Sequence, residues 1–197
     1  MSKIAYAWVE SIGGRIGNAA ARVYCSQIGP MSRVAMLWDD DIELFRRAWA
    51  PALEQAARQL DLQIGGPFLV RARDDLELTF AAMAEWRAEA VLVATSGIIY
   101  QNRSRLAELA NSHRLPVMAA FRDLAAAGSL MSYAPNLAAI YRRVPVYVDK
   151  ILKGERPGDI PVEQPTKFDL VINLKTARAL AVNFPASILA RADEVIE

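Results

Sequence analysis

Ala90-Val91-Leu92-Val93-Ala94-Thr95 is the stretch on which the fold turns. A strand with one face in water alternates apolar and polar residues; this one does not alternate, so it predicts a strand covered on both faces, as at the centre of a parallel sheet. A parallel strand must be followed by a crossover. The sequence supplies one: a loop through Ser96, Gly97 and Tyr100, then Leu106, Leu109 and His113 at helical spacing.

The same alternation extends to both sides of that run. Upstream, residues 33–38 form a first apolar strand. Asp39, Asp40 and Asp41 supply helix N-cap chemistry, and Ile42, Phe45, Trp49, Leu53, Ala56 and Leu60 make one apolar helix face that Pro51 should kink. A second strand near 63–70 contains Gly65, Gly66 and Pro67, which makes it irregular and peripheral. Its helix starts at about Asp74 and sets Leu76, Phe80 and Met83 on one side.

Downstream come a fourth strand at 116–121, a short helix at 123–127 stopped by Gly128, and a fifth strand at 129–133. A helical stretch at 136–152 is interrupted at Pro145, and residues 153–168 are a Gly- and Pro-rich crossing linker. A last strand at 169–173 and a helix at 174–181 follow. The fold class is therefore α/β, a doubly wound parallel sheet of order 2-1-3-4-5. The chain divides into an unassigned segment 1–32, a ligand-binding lobe 33–135, a helix and crossing linker 136–168, and a C-terminal strand and helices 169–197. Gly13, Gly14 and Gly17 are not spaced as a dinucleotide fingerprint and read as loop.

Composition narrows the function. The 197 residues are 53% hydrophobic and 23% charged, a globular balance. With 23 Lys and Arg against 22 Asp and Glu the formal charge is +1, so no overall field points to nucleic acid or an anionic membrane. One cysteine, Cys25, excludes an internal disulfide and argues against a thiolate metal site; one histidine, His113, excludes any mechanism needing two. No apolar run approaches the roughly 18 residues of a membrane helix. The apolar stretch 4–9 is shorter than a secretory core, so the chain as written carries no export address and would stay in the cytoplasm. No metal and no cofactor is expected.

The candidate chemistry is sparse. The acidic triplet is read first as helix capping and second as an anchor for a ligand ammonium or hydroxyl, or a metal. It also resembles the strand-to-Asp-Asp turn of two-component receiver domains. That resemblance fails where Ala94, Thr95 and Ser96 stand in place of a phospho-accepting aspartate, and where Ser132 and Tyr133 stand in place of a lysine. Ser96 lacks a nucleophile-elbow setting. His113, near a helix C-terminus, is read as a dipole partner, and Met36, Met83, Met118 and Met131 as core. What remains is a surface. In a sheet of this order ligands bind beyond the strands' carboxyl ends, which gathers Trp38, Asp39, Asp40, Thr95, Ser96, Tyr100, Phe121, Arg122 and Tyr133. Aromatic and hydroxyl-bearing but without a proton shuttle, the group suits binding rather than turnover, and no enzyme is expected.

The second half of the chain carries a specific resemblance. The runs 106–110, Leu115-Pro116, GSLMSY (128–133), ILKG (151–154), QPTKF (164–168), VINLKTA (171–177) and LARADE (189–194) are similar to those of ABC transporter substrate-binding proteins, in the subfamily that includes tryptophan- and tyrosine-uptake receptors. The resemblance covers about residues 33–197. It implies one lobe of a two-lobed periplasmic receptor, a small organic ligand held between lobes, and delivery to a permease and its ATPase. Members of that family are longer and begin with an export signal and a first lobe, so a truncated or mis-started product is expected. Ala134-Pro135 stands where relatives have Gly-Pro, Ala181 where they have a helix-ending glycine, and Pro145 within a helix they leave whole. Left without a first lobe, the chain is expected to form a homodimer through the apolar stripe of 136–152 or to aggregate. A receiver-like signalling domain and a small α/β enzyme built on Asp39, Asp40 and Ser96 remain the alternatives.

Overall fold

The computed structural model describes residues 33–39, 50–94, 96–161, 163, 165 and 167–197. Among them seven strands form one sheet: β1 (Arg33–Trp38), β2 (Gln63–Leu69), β3 (Ala90–Val93), β4 (Val117–Ala119), β5 (Met131–Pro135), β6 (Phe168–Asn173) and β7 (Glu194–Ile196). Their order is β2-β1-β3-β4-β5-β6-β7. The expected 2-1-3-4-5 arrangement is present, all parallel, and is extended by two strands. β6 runs antiparallel to β5, and β7 pairs parallel with β6.

Both faces of the central strands are dry. Val34, Met36 and Trp38 of β1, with Ala90, Leu92 and Met118, enter one core. Ala35 and Leu37, with Val91, Val93, Val117 and Ala119, enter the other. The period-two geometry of a strand sends successive side chains to opposite faces, so a run without polar residues needs a helical layer on each side. One layer is α2 (Asp75–Glu85), α3 (Gly97–Gln101) and α4 (Arg103–Ser112), which contribute Leu76, Phe80, Met83, Ile99, Leu106 and Leu109. The other holds α1 (Ala50–Leu60), α8 (Leu174–Leu180) and α9 (Ala186–Leu189), through Leu53, Ala177 and Ile188. The four core methionines expected from the sequence are all fully buried. Short α5 (Arg122–Ala126) links β4 to β5, and α6 (Leu137–Tyr141) and α7 (Val144–Leu152) lie between β5 and β6.

Several expectations are corrected. The break in 136–152 falls at Arg142-Arg143, and Pro145 sits in the first turn of α7, where its missing N–H costs no helical bond. The C-terminal region 169–197 holds the expected strand and helices and also the edge strand β7, which was not anticipated because Glu194-Val195-Ile196 is too short to show a period. Strand five begins at Met131 and runs on to Pro135, so Ser132 is buried in mid-strand rather than at its end. The helix start predicted at Asp39–Asp41, and segment 1–32, lie outside the described residues.

Six of the nine helices among the described residues share one way of stopping. Asp61, Arg87, Arg114, Gly128, Gly154 and Ala181 each follow a helix at positive φ. In every case the next residue's N–H closes a six-residue turn: Leu62 to Ala57, Ala88 to Met83, Leu115 to Ala110, Ser129 to Leu124, Glu155 to Lys150 and Val182 to Ala177, at 2.8–3.1 Å. This is the Schellman ending, in which a left-handed residue turns the chain off the helix and satisfies its orphan carbonyls. Ala181 carries a methyl group into that conformation at φ 58°.

Left-handed backbone costs a residue with a Cβ about 1–2 kcal/mol, while glycine loses about 0.5–1 kcal/mol more entropy on folding. Ala181→Gly should therefore raise stability by up to about 1 kcal/mol, seen as a higher urea midpoint with an unchanged slope. Gly65→Ala should act in the opposite direction and more strongly, since a Cβ there would lie 2.6 Å from the Trp86 ring.

Candidate functional site

The carboxyl ends of β1, β3, β4 and β5 open onto one rim, and the antiparallel return brings the start of β6 to the same edge, with Phe168 opposite Pro135. Trp38 ends β1 and is buried; Asp39 follows it, half-buried. Asp40 and Thr95 lie outside the described residues. Ser96 caps α3, its Oγ accepting the Ile99 N–H at 3.3 Å, so its hydroxyl is already engaged in helix capping.

Tyr100 stands exposed on α3 and donates its phenolic hydrogen to the Asp123 carboxylate at the start of α5. That hydrogen bond, and then the carboxylate's charge, push ionisation of the phenol above its ordinary range. Arg103 lies over the same ring, 4.9 Å from its centre, and donates to the Tyr100 carbonyl at 3.0 Å. The loops after β3 and β4 are thus tied together by an aromatic ring with a cation on one face and an anion at its hydroxyl.

Further along, Phe121 is half-buried against the second core. Arg122 lies in the predicted region, but its guanidinium is committed: Nε and Nη2 both bond the Glu194 carboxylate, at 2.6 and 2.5 Å. This fork joins α5 to β7, and bonding to Glu194 holds Arg122 more firmly protonated than usual. Tyr133 packs on the first core and stacks on Phe168, with ring centres 5.5 Å apart and planes at 19°. Beside them Asn136 donates to the Asp169 carboxylate.

Sequence reasoning missed Arg103, Asp123, Asn136, Phe168 and Asp169. Phe168 and Asp169 were hidden because nothing local shows that β6 returns antiparallel. Phe168 did lie in the QPTKF run, which was a signal. His113 is where it was expected, at the C-terminus of α4, with its ring 5.9 Å from that of Phe80. Among the described residues no three His, Cys, Asp or Glu side chains cluster as metal ligands. The rim offers stacking faces, hydroxyls and carboxylates.

The motif runs have structural work of their own. Asn173 of VINLKTA caps α8 by accepting the Thr176 N–H at 3.0 Å, and its amide donates to the Ala125 carbonyl at 2.8 Å. Thr176 Oγ1 donates to the Gly128 carbonyl at 2.9 Å. In LARADE, Asp193 accepts the Leu170 N–H at 2.9 Å and Glu194 takes Arg122. These residues clamp the C-terminal strands to the turn between α5 and β5.

An open, mostly parallel sheet wound on both faces, with a polar and aromatic rim at its carboxyl ends, is a lobe of the periplasmic-binding-protein-like fold. The chain belongs to the ABC transporter substrate binding protein family, whose model matches residues 39–196. Solved structures agree in fold. A conserved domain protein from Vibrio cholerae superposes with a TM-score of 0.79 at 20% identity, over 91% of this chain and 60% of its own. An ABC domain from Streptococcus pneumonia in complex with L-Trp gives 0.75 at 18% identity, over 96% and 62%. A ligand-free, open substrate binding protein with adhesive properties from Clostridium difficile gives 0.66 at 16%, over 91% and 58%. The chain thus spans about three-fifths of the length of these neighbours. Comparison with curated proteins gave no match.

Family membership replaces the receiver-like reading, and the family is one of transport receptors rather than enzymes. If VINLKTA is structural, Asn173→Ala should cost about 2 kcal/mol, through a lost cap and a lost buried hydrogen bond to the Ala125 carbonyl, which keeps only the Gly128 N–H. Denaturant unfolding of Asn173→Ala and Thr176→Val checks this.

Proposed function

We propose that this lobe binds a small organic solute at the carboxyl-end rim and serves as the receptor of an ABC uptake system, outside the cytoplasm, handing its ligand to a permease driven by an ATPase. The family match carries the reading. The chemistry of the rim favours a ligand with an aromatic or similarly flat portion and a polar end: Tyr133 on Phe168 and Tyr100 under Arg103 are ordered π faces, and Asp39 and Asp123 can accept from an ammonium. Aromatic amino acids or related compounds fit that description, and the L-Trp complex of the Streptococcus neighbour supports testing them first. Trp38, Asp39, Asp40, Thr95, Ser96 and Tyr100 would supply the main contacts, with Phe121 and Tyr133 beside them. Arg122 contributes by fixing α5 against β7. Catalysis is no part of this reading. No helix among the described residues is long and apolar enough to cross a membrane.

A single lobe encloses only part of such a ligand. If half of a micromolar binding energy of about 8 kcal/mol belongs to a facing lobe, affinity for this chain alone falls to roughly millimolar. Titration of tryptophan, tyrosine and phenylalanine into isotopically labelled protein should shift amides of Ser96, Tyr100, Phe121 and Tyr133, and Tyr100→Ala should weaken the effect several-fold. Shifts confined to the opposite edge, around Glu89, Pro116 and Leu130, would refute the placement. Low-micromolar affinity would refute the one-lobe argument.

A further inference from the structure

Where the loops after β3 and β4 meet at the rim, the direction of one hydrogen bond is fixed by its chemistry. A phenol owns a single hydrogen and keeps lone pairs for accepting, while an ionised carboxylate only accepts. Between Tyr100 and Asp123 the hydrogen therefore belongs to the phenol and points at the carboxylate. The same bond, and then the carboxylate's charge, hold the phenol protonated beyond its ordinary range. What this pair still has to offer is lone pairs, those of the phenol oxygen and those of Asp123 Oδ1. The neighbouring cations leave them in place. Arg122 has Nε and Nη2 on Glu194 and comes to Asp123 Oδ1 only at 4.0 Å, too far for a hydrogen bond. Arg103 lies over the ring face and bonds the Tyr100 carbonyl. All of these contacts are internal to the lobe, and both the Tyr100 and Asp123 side chains reach solvent.

On the solute-binding reading given above, we propose that Asp123 is a positioning residue that makes Tyr100 an obligate hydrogen-bond acceptor, so that this end of the rim selects a hydrogen-bond-donating group of the solute, an ammonium above all, and turns away carboxylates and phosphates. A phenol alone could rotate its hydrogen and serve either kind of group; the carboxylate removes the choice. An ammonium brought to the pair meets complementary lone pairs and a negative charge, and such charge-assisted bonds are roughly twice as strong as neutral ones. A carboxylate in the same place meets two oxygens and no hydrogen. To recover the phenol's hydrogen it would have to displace Asp123 and leave that charge without its partner. Discrimination of this kind, by what is left unpaired, is sharper than discrimination by size.

Amide-shift titrations of the isotopically labelled chain with phenethylamine and with hydrocinnamate, which share a ring and a two-carbon linker and differ in the end group, test this. At Ser96, Tyr100 and Phe121 the amine should bind about tenfold more tightly than the acid. Asp123→Asn, whose amide can donate to the phenol oxygen as well as accept from it, should bring the two probes within about twofold of each other. It should also return ionisation of the Tyr100 phenol toward its ordinary range, followed in the tyrosine ring carbons and assigned by the signal lost in Tyr100→Phe. Tyr100→Phe keeps the Asp123 charge but removes the oxygen, and should cut the amine preference about threefold. Glu85→Gln, which removes an exposed carboxylate at the far end of α2, should leave the preference unchanged. A preference untouched in Tyr100→Phe reduces the effect to bare charge and overturns the proposal. So does hydrocinnamate binding the native chain as tightly as the amine, or a Tyr100 ionisation that Asp123→Asn does not move. If neither probe shifts the rim amides, the solute-binding placement itself fails and takes the proposal with it.

Discussion

Everything in this lobe depends on keeping water from both faces of four parallel strands. Their hydrogen bonds run between β1, β3, β4 and β5, but the chain can connect parallel neighbours only by crossing over the sheet, and each crossing has to lay an apolar helix on a face that would otherwise be wet. Two cores result, one on each side, with Met36 facing one and Leu37 the other from adjacent positions of the same strand. The rim is a by-product of this covering. Every crossover starts at a carboxyl end, so the loops that are free to carry polar chemistry gather at that edge whatever the ligand.

The runs that carry the family resemblance and the residues of the proposed ligand-binding rim are different residues. VINLKTA and LARADE are specific because buried polar groups constrain them from several directions. The Asn173 amide caps one helix and satisfies the carbonyl of another, 48 positions away, and few side chains could do both. In the function proposed here the rim residues answer to a solute instead and need share only their chemical type. Such constraints are local to the fold, so a family can be evident where a ligand is not.

How much was legible follows from the range over which each signal acts. The run 90–95, the Leu76-Phe80-Met83 stripe and Gly128 carry their meaning within a dozen residues, and the sheet order to β5 followed from them. Ala181 was marked as a departure from a glycine and is indeed in the left-handed conformation. The direction of β6 was not legible, because an antiparallel return is set by where a 32-residue excursion ends and not by any residue in the strand. The ion pair of Arg122 was not legible for a related reason: its partner Glu194 is 72 positions away, and sequence alone shows a cation near a cleft without showing what it pairs with. Pro145 was read as a breaker when it opens a helix, a distinction that depends on a boundary two residues away.

The fastened ends of the excursion also bear on how the fold could change through time. For the sheet, residues 136–167 behave as a loop: β5 and β6 would sit in the same register if a tight turn joined them, and loop closure becomes dearer by only about 0.6 kcal/mol for each doubling of length. A segment whose removal or exchange leaves the hydrogen-bonded frame intact is a cassette. Its length and surface can therefore differ without changing how β5 pairs with β6.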